Sequence, residues 1–150
     1  MTSNNKALDF TLQDENGQPV SLKDFRGKTV VLFFYPRADT PGCTIEACEF
    51  RDSYTRLRST GAVLLGISPD VPKDQKKFKD KFTLPYTLLC DPDKKLADSL
   101  GVLKEKNMYG KKVMGIERST FIIGPDGKIT REFRKVKPEG HAEEILAALV

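Results

Sequence analysis

Residues 29–48 read TVVLFFYPRADTPGCTIEAC, and they decide the fold because they join a buried strand to a helix that opens on a cysteine. The run 29–35 is an unbroken series of β-branched, aliphatic and aromatic residues. Such a run is typical of a strand buried on both faces in the centre of a parallel sheet. Pro36 ends this strand. Thr40 is a suitable N-cap and Pro41 suits the first helical position, so we expect a helix to begin there.

Cys43 falls in the first turn of this predicted helix, which we place at 41–58, and occupies about its third position. The backbone N–H groups of a first turn have no partner within the helix, and they form the positive end of the helix dipole. Such surroundings favour thiolate over thiol, so the sequence builds a nucleophile at this position. A second cysteine, Cys48, follows five residues later and is close enough to trap the oxidised product.

One apolar stripe runs along the helix at spacings of four, three, four and three residues. Its members are Cys43, Ala47, Phe50, Tyr54 and Leu57. Because this spacing follows the 3.6-residue period, the stripe faces the core and Cys43 lies at its edge, under the end of strand 29–35. Residues 36–40 then cover the thiol, at the carboxyl end of a central strand, where α/β sheets commonly carry their sites.

Cys48 lies off that stripe, which limits how the two cysteines can react with each other. Five residues along a helix correspond to a rise of ~7.5 Å and a rotation of ~140°, which separate the two Cα atoms by about 8–9 Å. A disulfide needs Cα atoms within about 7 Å of each other. We therefore predict a reduced form with an intact helix. If the two cysteines bond during function, the first turns of the helix must unwind in the oxidised form.

The remaining segments alternate between apolar runs and amphipathic stretches. Strands are predicted at 10–12 and 20–22, around an Asn16-Gly17 turn, and at 62–67, 86–89, 120–123 and 129–133. Helices are predicted at 73–81, 94–100 and 139–150, whereas the polar segment 104–115 is expected to be a mobile loop. This order predicts an α/β fold, with a central mixed β-sheet flanked by helices, in one domain over residues 1–150.

Composition favours a soluble protein of the cytoplasm. The chain has 150 residues, of which 39% are hydrophobic and 31% are charged, as in ordinary globular domains. No apolar run approaches the ~18 residues of a membrane span. Residues 1–6 are polar and lack a signal-like apolar region. Three cysteines are an odd number and too few for a secreted disulfide scaffold, so reactive or incidental thiols fit better.

Charge and ligand patterns argue against nucleic-acid and metal partners. The net charge is +4 and lysines cluster within 73–81 and 104–112, but acids are interspersed and no recognition motif accompanies them. The three cysteines and the single histidine, His141, do not form the close-spaced pairs that structural zinc needs. Cys90 follows a strand-like run and is interpreted as a core residue, with a role as a back-up resolving thiol left open.

Pro36, Thr40 and Cys43 match the P-x-x-x-[TS]-x-x-C pattern of the peroxiredoxin active site. Residues 43–48, CTIEAC, are similar to the C-T-x-E-A-C signature of the bacterioferritin comigratory protein branch of that family, also called PrxQ. Residues 9–12 with Gly17 and Leu22 resemble the family's N-terminal hairpin, and residues 118–123 with Gly127 resemble the segment that carries its active-site arginine. The similarity covers essentially the whole chain.

This resemblance implies a thioredoxin-like fold with an N-terminal β-hairpin extension, and a thiol peroxidase that reduces hydrogen peroxide and organic hydroperoxides. It makes Cys43 the peroxidatic cysteine and Cys48 the resolving one, with four companions in the site: Thr40, Arg118, Pro36 and Glu46. In this reading Glu46 holds Arg118 by a charge-assisted hydrogen bond, and Pro36 shields the thiolate from water.

The implied cycle needs only thiol chemistry. It passes through a Cys43 sulfenic acid and a Cys43–Cys48 disulfide, which thioredoxin or a similar dithiol then reduces. No metal, haem or flavin is required. Members of the branch are often monomers, and a monomer is expected here.

Two other functions stay open on the sequence. A general disulfide oxidoreductase of thioredoxin type would share the fold, but the spacing here is C-x-x-x-x-C. The chain also has no proline between Pro92 and Pro125, where thioredoxin-like proteins carry their cis-proline. A redox sensor or holdase would use the same cysteine with slow turnover.

Overall fold

The computed structural model describes residues 8–149 of the chain. The expectations for residues 1–6 and for a helix reaching Val150 concern positions outside this part. The strands are β1 (Thr11–Asp14), β2 (Pro19–Ser21), β3 (Val30–Phe34), β4 (Val63–Ser68), β5 (Thr87–Cys90), β6 (Leu103–Met108), β7 (Lys111–Ile116), β8 (Ser119–Ile123) and β9 (Ile129–Phe133). The helices are α1 (Pro41–Asp52), α2 (Tyr54–Ser59), α3 (Pro72–Phe82), α4 (Lys95–Ser99) and α5 (His141–Leu149).

A mixed sheet forms the centre of the fold, as predicted. Within residues 8–149 it has seven strands in the order β2-β1-β5-β4-β3-β8-β9. The central strand β3 pairs in parallel with β4 and antiparallel with β8. The N-terminal hairpin of β1 and β2 joins the sheet through antiparallel pairing of β1 with β5. The predicted strands outside 104–115 are therefore confirmed, with ends that differ by one or two residues.

Strand β3 is buried on both faces, which explains its unbroken apolar sequence. Its five residues are each at most 1% exposed. Because successive side chains of a strand point to opposite faces, Val31 and Phe33 enter one core with α1, α2, α3 and α5, whereas Leu32 and Phe34 enter a second core with α4. Cys43 belongs to the first of these cores.

The predicted helix 41–58 is divided into α1 and α2 by a break at Ser53. The backbone of Ser53 leaves the helical region, with φ −98° and ψ 0°. Its N–H still donates to the Glu49 carbonyl at 3.0 Å, and its carbonyl accepts from Leu57 at 2.9 Å. The helix axis can therefore change direction without leaving these backbone groups unpaired. The apolar stripe keeps its predicted position against the core.

The expectation of a loop at 104–115 is wrong. This segment forms the antiparallel pair β6 and β7, which we call the ribbon, with register from Leu103↔Ile116 to Met108↔Lys111. Tyr109 and Gly110 turn the chain with φ of 53° and 79°, as two-residue hairpins of the primed type require. The ribbon exposes most of β7, so it lacks the apolar alternation that usually signals a strand.

Candidate active site

Cys43 occupies the third position of α1, as the sequence predicts. Thr40 is the N-cap, with extended φ of −88° and ψ of 157°, and Pro41 is the first helical residue. The thiol is nevertheless only 1% exposed, because it faces the core beneath β3. The first turn of α1 therefore presents its free N–H groups beside a sheltered sulfur.

Arg118 reaches this sulfur from the segment between β7 and β8. Its Nη2 donates to Cys43 Sγ at 3.4 Å, and its Nη1 donates to Glu46 Oε1 at 2.8 Å. The Arg118 carbonyl accepts from the N–H of Val136 at 3.0 Å, which fixes the backbone of this residue. One guanidinium thus bridges the thiol in the first turn of α1 and the carboxylate one turn further along.

Glu46 is fully buried beneath Arg118. Its Oε2 has no hydrogen-bond partner among the residues that the structure describes. Burial raises the pKa of Glu46 to about 7, although the charge of Arg118 and their hydrogen bond act in the opposite direction. The carboxyl group therefore titrates close to neutral pH, next to the cation that contacts Cys43.

The loop 36–40 covers the start of α1 and is tied to the sheet. Pro36 is half-buried and lies two residues after the end of β3. The N–H of Ala38 donates to Asp70 Oδ2 at 2.7 Å, and Asp70 also accepts from the Ser68 hydroxyl at 2.6 Å. Thr40 caps α1 by its backbone position alone, because its hydroxyl donates to the Arg37 carbonyl at 2.8 Å. These contacts hold the loop over the helix end.

The two other cysteines lie in different surroundings. Cys48 is half-buried on the same helix, and Cys43, Cys48 and Cys90 are all free thiols. Burial raises the pKa of Cys48, and Arg51 lowers it by a smaller amount. Cys90 is buried at the end of β5, where its Sγ lies 3.8 Å from the Asp14 carbonyl oxygen. Burial, followed by nearby carboxylates, raises the pKa of Cys90 to about 12.

Some residues of this region carry no sequence signal that single-chain reasoning detects. A Cβ on Gly42 would lie 3.1 Å from Arg118 Nη2, so the lack of a side chain leaves room for the guanidinium. His141 is the first residue of α5, as expected, but it is buried, and its Nε2 lies 2.6 Å from the Thr120 hydroxyl. Lys106 of the ribbon donates to the Ile116 carbonyl, two residues before Arg118, although the loop prediction gave it no role.

No group of three His, Cys, Asp or Glu side chains that could hold a metal occurs within residues 8–149. In the same part of the chain, every helix is too short or too polar to cross a membrane.

Comparison with known proteins shows the family to which the chain belongs. Residues 3–132 match the model of the AhpC/TSA family. The chain belongs to this family. Among its relatives, peroxiredoxin Bcp of Bacillus subtilis is 48% identical over 144 residues, which make up 96% of this chain and 92% of that protein. The peroxiredoxin resemblance that the motif predicts is thereby confirmed.

Solved structures of the AhpC/TSA family superimpose closely on this one. The bacterioferritin comigratory protein of Xanthomonas campestris matches with a TM-score of 0.88 at 41% identity, over 93% of this chain and 89% of that one. PrxQ of Xylella fastidiosa matches with a TM-score of 0.90 at 38% identity, over 99% and 92% of the two chains. These matches confirm the predicted thioredoxin-like fold.

Proposed function

We propose that this protein is a thiol peroxidase, an atypical two-cysteine peroxiredoxin that reduces hydrogen peroxide and organic hydroperoxides. The observation that carries the proposal is the guanidinium of Arg118, which contacts both the Cys43 sulfur and the Glu46 carboxylate. A cation fixed against a sheltered sulfur, at the start of a helix, is the arrangement that stabilises a thiolate nucleophile. The X. campestris relative is described by its alkyl peroxide reduction activity, which supports the same substrate class here.

In the first step, the Cys43 thiolate attacks the hydroxyl oxygen of the peroxide. The O–O bond breaks, and the other oxygen leaves as hydroxide or alkoxide and takes a proton from solvent. Cys43 is oxidised to a sulfenic acid, and the peroxide is reduced to water or an alcohol. The Arg118 guanidinium and the N–H groups of Gly42 and Cys43 stabilise the negative charge that develops on the leaving oxygen. Pro36 and the loop that begins there limit access of water to the thiolate.

Glu46 and Thr40 act on this step through other groups. Glu46 holds Nη1 of Arg118, so that Nη2 stays aimed at the sulfur. The Thr40 hydroxyl donates to Arg37, so its remaining lone pairs can accept a hydrogen bond from the protonated end of the peroxide. We assign Thr40, Glu46 and Pro36 as the companions of Cys43 and Arg118.

Resolution uses Cys48. Its thiol attacks the sulfenic sulfur of Cys43, a disulfide forms, and water leaves. Because an intact α1 holds the two Cα atoms about 8–9 Å apart, the first turns of the helix unwind before the sulfurs meet. Unwinding also exposes Cys48 to water and removes the burial that raises its pKa. The break at Ser53 separates α1 from α2, so the unwinding can stop within α1.

An external dithiol closes the cycle, and thioredoxin is the reductant we propose. One thiolate of the dithiol attacks the Cys43–Cys48 disulfide and forms a mixed disulfide. Its second thiol then attacks this mixed disulfide, so that both cysteines return as thiols and the dithiol leaves as its own disulfide. Cys90 is excluded from this exchange, since it is buried in the sheet and its pKa of about 12 keeps it protonated at neutral pH. We further propose a cytoplasmic monomer in which residues 1–150 form one domain.

The test is peroxide consumption driven by thioredoxin, thioredoxin reductase and NADPH. Cys43→Ser should abolish consumption, because the nucleophile is lost. Cys48→Ser should consume about one equivalent of peroxide per protein and then stop, since only the first step remains. Cys90→Ser is the matched control and should turn over like the wild type. Full activity of Cys43→Ser would overturn the proposed function, whereas full turnover of Cys48→Ser would move resolution to another thiol.

Unwinding of α1 has its own test. The wild type oxidised with one equivalent of peroxide should lose the backbone amide signals typical of a helix over residues 41–49 in NMR spectra, and reduction should restore them. An oxidised protein that contains the disulfide while residues 41–49 remain helical would contradict the proposed resolution step.

A further inference from the structure

Lys106 is the cation of the ribbon that turns inward. It lies on β6, and its side chain is half-buried. Its Nζ donates to the Ile116 carbonyl across the ribbon at 2.6 Å. Ile116 ends β7 two residues before Arg118, so this hydrogen bond ties the ribbon to the segment that delivers the active-site arginine.

Gly115 makes the path of this side chain possible. A Cβ on Gly115 would lie 3.0 Å from Cδ and 3.3 Å from Cε of Lys106. A distance of 3.0 Å is closer than carbon atoms normally approach without strain. The stem of Lys106 therefore lies flat across the bare backbone of Gly115, which fixes where its ammonium group ends.

Two of the charged groups that act on this ammonium, Arg118 and Cys43, belong to the proposed active site. Burial lowers the pKa of Lys106 most, and the positive charge of Arg118 lowers it further. The negative charges of the Cys43 thiolate and of Glu117 raise the same pKa by smaller amounts. The pKa of Lys106 therefore depends on both partners of the Cys43–Arg118 contact, although Lys106 lies on a different element from either residue.

We propose that Lys106 is a positioning residue of the peroxidase site: its ammonium, held on the Ile116 carbonyl, adds a second positive charge near the Cys43 thiolate and braces the segment that carries Arg118. This inference rests on the proposed function, since it assigns Lys106 to the step in which Cys43 attacks peroxide. It predicts an effect on that step and none on resolution by Cys48.

Lys104 provides the matched control. It lies two residues earlier on β6, and alternate residues of a strand share a face. Its side chain is exposed, and it pairs in register with Gly115. The two lysines therefore share strand, charge and side-chain length, and they differ in whether the ammonium is held against the site.

The experiment measures the second-order rate constant for the oxidation of Cys43 by hydrogen peroxide, in stopped flow, as a function of pH. Lys106→Met keeps the length of the stem and removes the charge. We expect the rate constant at pH 7 to fall about tenfold, and the rise of the pH–rate profile to move to higher pH, because one nearby positive charge is lost. Lys106→Arg should restore the rate to within about twofold of the wild type.

A second variant displaces the ammonium without removing it. Gly115→Ala keeps both cations but places a methyl group against the Lys106 stem, and it should lower the rate constant about threefold. Adding Gly115→Ala to Lys106→Met should then cost nothing more, since both changes act through one side chain. Lys104→Met should match the wild type.

Several results would overturn the proposal. They are a Lys106→Met rate within twofold of the wild type, an equal loss in Lys104→Met, a lower rate with an unshifted pH profile, or no rescue by Lys106→Arg. All variants retain Cys43, so these outcomes differ from failure of the proposed function, which full activity of Cys43→Ser would reveal.

Discussion

Cys43 and Cys90 are equally hidden from solvent, at 1% and 2% exposure, but their electrostatic surroundings are opposite. The sulfur of Cys43 accepts a hydrogen bond from the Arg118 guanidinium at 3.4 Å, in the first turn of a helix. Cys90 ends a strand, and after burial itself, the carboxylates of Asp70, Asp14 and Glu15 raise its pKa further. Nearby charge and backbone dipole, rather than exposure, therefore distinguish the thiol that we propose as the nucleophile from the one that we exclude.

The backbone around the two cysteines also differs, because Cys90 ends a strand and Cys43 lies at the start of a helix. Cys90 lies on β5, which pairs with β1 on one side and with β4 on the other, so the backbone of this strand is engaged in sheet pairing. The N-terminus of α1 leaves backbone N–H groups unpaired and aims them at the position of Cys43. Substitutions that make the surroundings of Cys43 more like those of Cys90 test this difference.

Removal of the cation should have the largest effect. Arg118→Met should lower the second-order rate constant for peroxide about a hundredfold, because it removes a donor that stabilises both the thiolate and the leaving oxygen. Stopped-flow oxidation of Cys43 measures this loss. Arg118→Lys is the control, and it should recover only part of the rate, since an ammonium cannot bridge Cys43 and Glu46 as the guanidinium does. If the rate in Arg118→Met stayed within threefold of the wild type, the proposed difference in reactivity between Cys43 and Cys90 would need another cause.

Glu46 tests whether burial or the charge of Arg118 has the larger effect on the carboxyl group that contacts this guanidinium. Its folded-state pKa of about 7 is raised above the ordinary value of 4.5, so the folded protein binds this proton more tightly than the unfolded chain. Stability linked to this group is complete below about pH 4.5 and is lost as the pH rises through about 7. Glu46→Gln removes the linkage, and at pH 8 it should raise the free energy of unfolding by up to about 3 kcal/mol relative to the wild type.

Urea unfolding at pH 5 and pH 8 measures this difference. The gain from Glu46→Gln should be much larger at pH 8 than at pH 5. A gain independent of pH, or a loss at pH 8, would mean that the ion pair with Arg118 outweighs burial. Glu49→Gln is the control on the same helix, and it should not show the same dependence on pH.

The smallest expected effect comes from the space beside Arg118. Gly42→Ala should lower the rate constant about fivefold, because its methyl group would lie 3.1 Å from Arg118 Nη2 and 3.4 Å from Pro138 Cγ and so displaces the guanidinium. Urea unfolding of the same variant measures how much stability is lost when the guanidinium moves away from the buried Glu46. An unchanged rate would mean that the oxidation of Cys43 does not depend on the exact position of the Arg118 guanidinium.

Short-range sequence patterns predict the part of the site that the start of α1 forms. Residues 29–43 combine a two-face apolar run, a cap and a proline in the first turn, and each of these acts over a few residues. The contact of Arg118 with Cys43 joins residues 75 positions apart, and no local pattern predicts it. Only the family resemblance brought Arg118 into the site before the structure did.

The missed features depend on tertiary packing. The break at Ser53 carries no glycine or proline, and β7 of the ribbon is exposed over most of its length, so neither produces a periodic pattern. Gly110 within the polar segment was the available hairpin signal, since two-residue turns favour glycine. The role proposed for Lys106 depends on the packing of its side chain over Gly115, which is not its register partner but lies two residues beyond Val113 on β7. The setting of Cys90 likewise follows from the pairing of β5 with β1, which brings Asp14 to its sulfur.

The most direct measurement is mass spectrometry of the Cys48→Ser protein, treated with one equivalent of hydrogen peroxide in the presence of dimedone, which labels sulfenic acids. The proposed contrast between the two buried thiols predicts that the label is found on the peptide containing Cys43 and is absent from the peptide containing Cys90. Labelling of Cys90 at a rate comparable with Cys43, or an unlabelled Cys43 with peroxide consumed, would contradict the account.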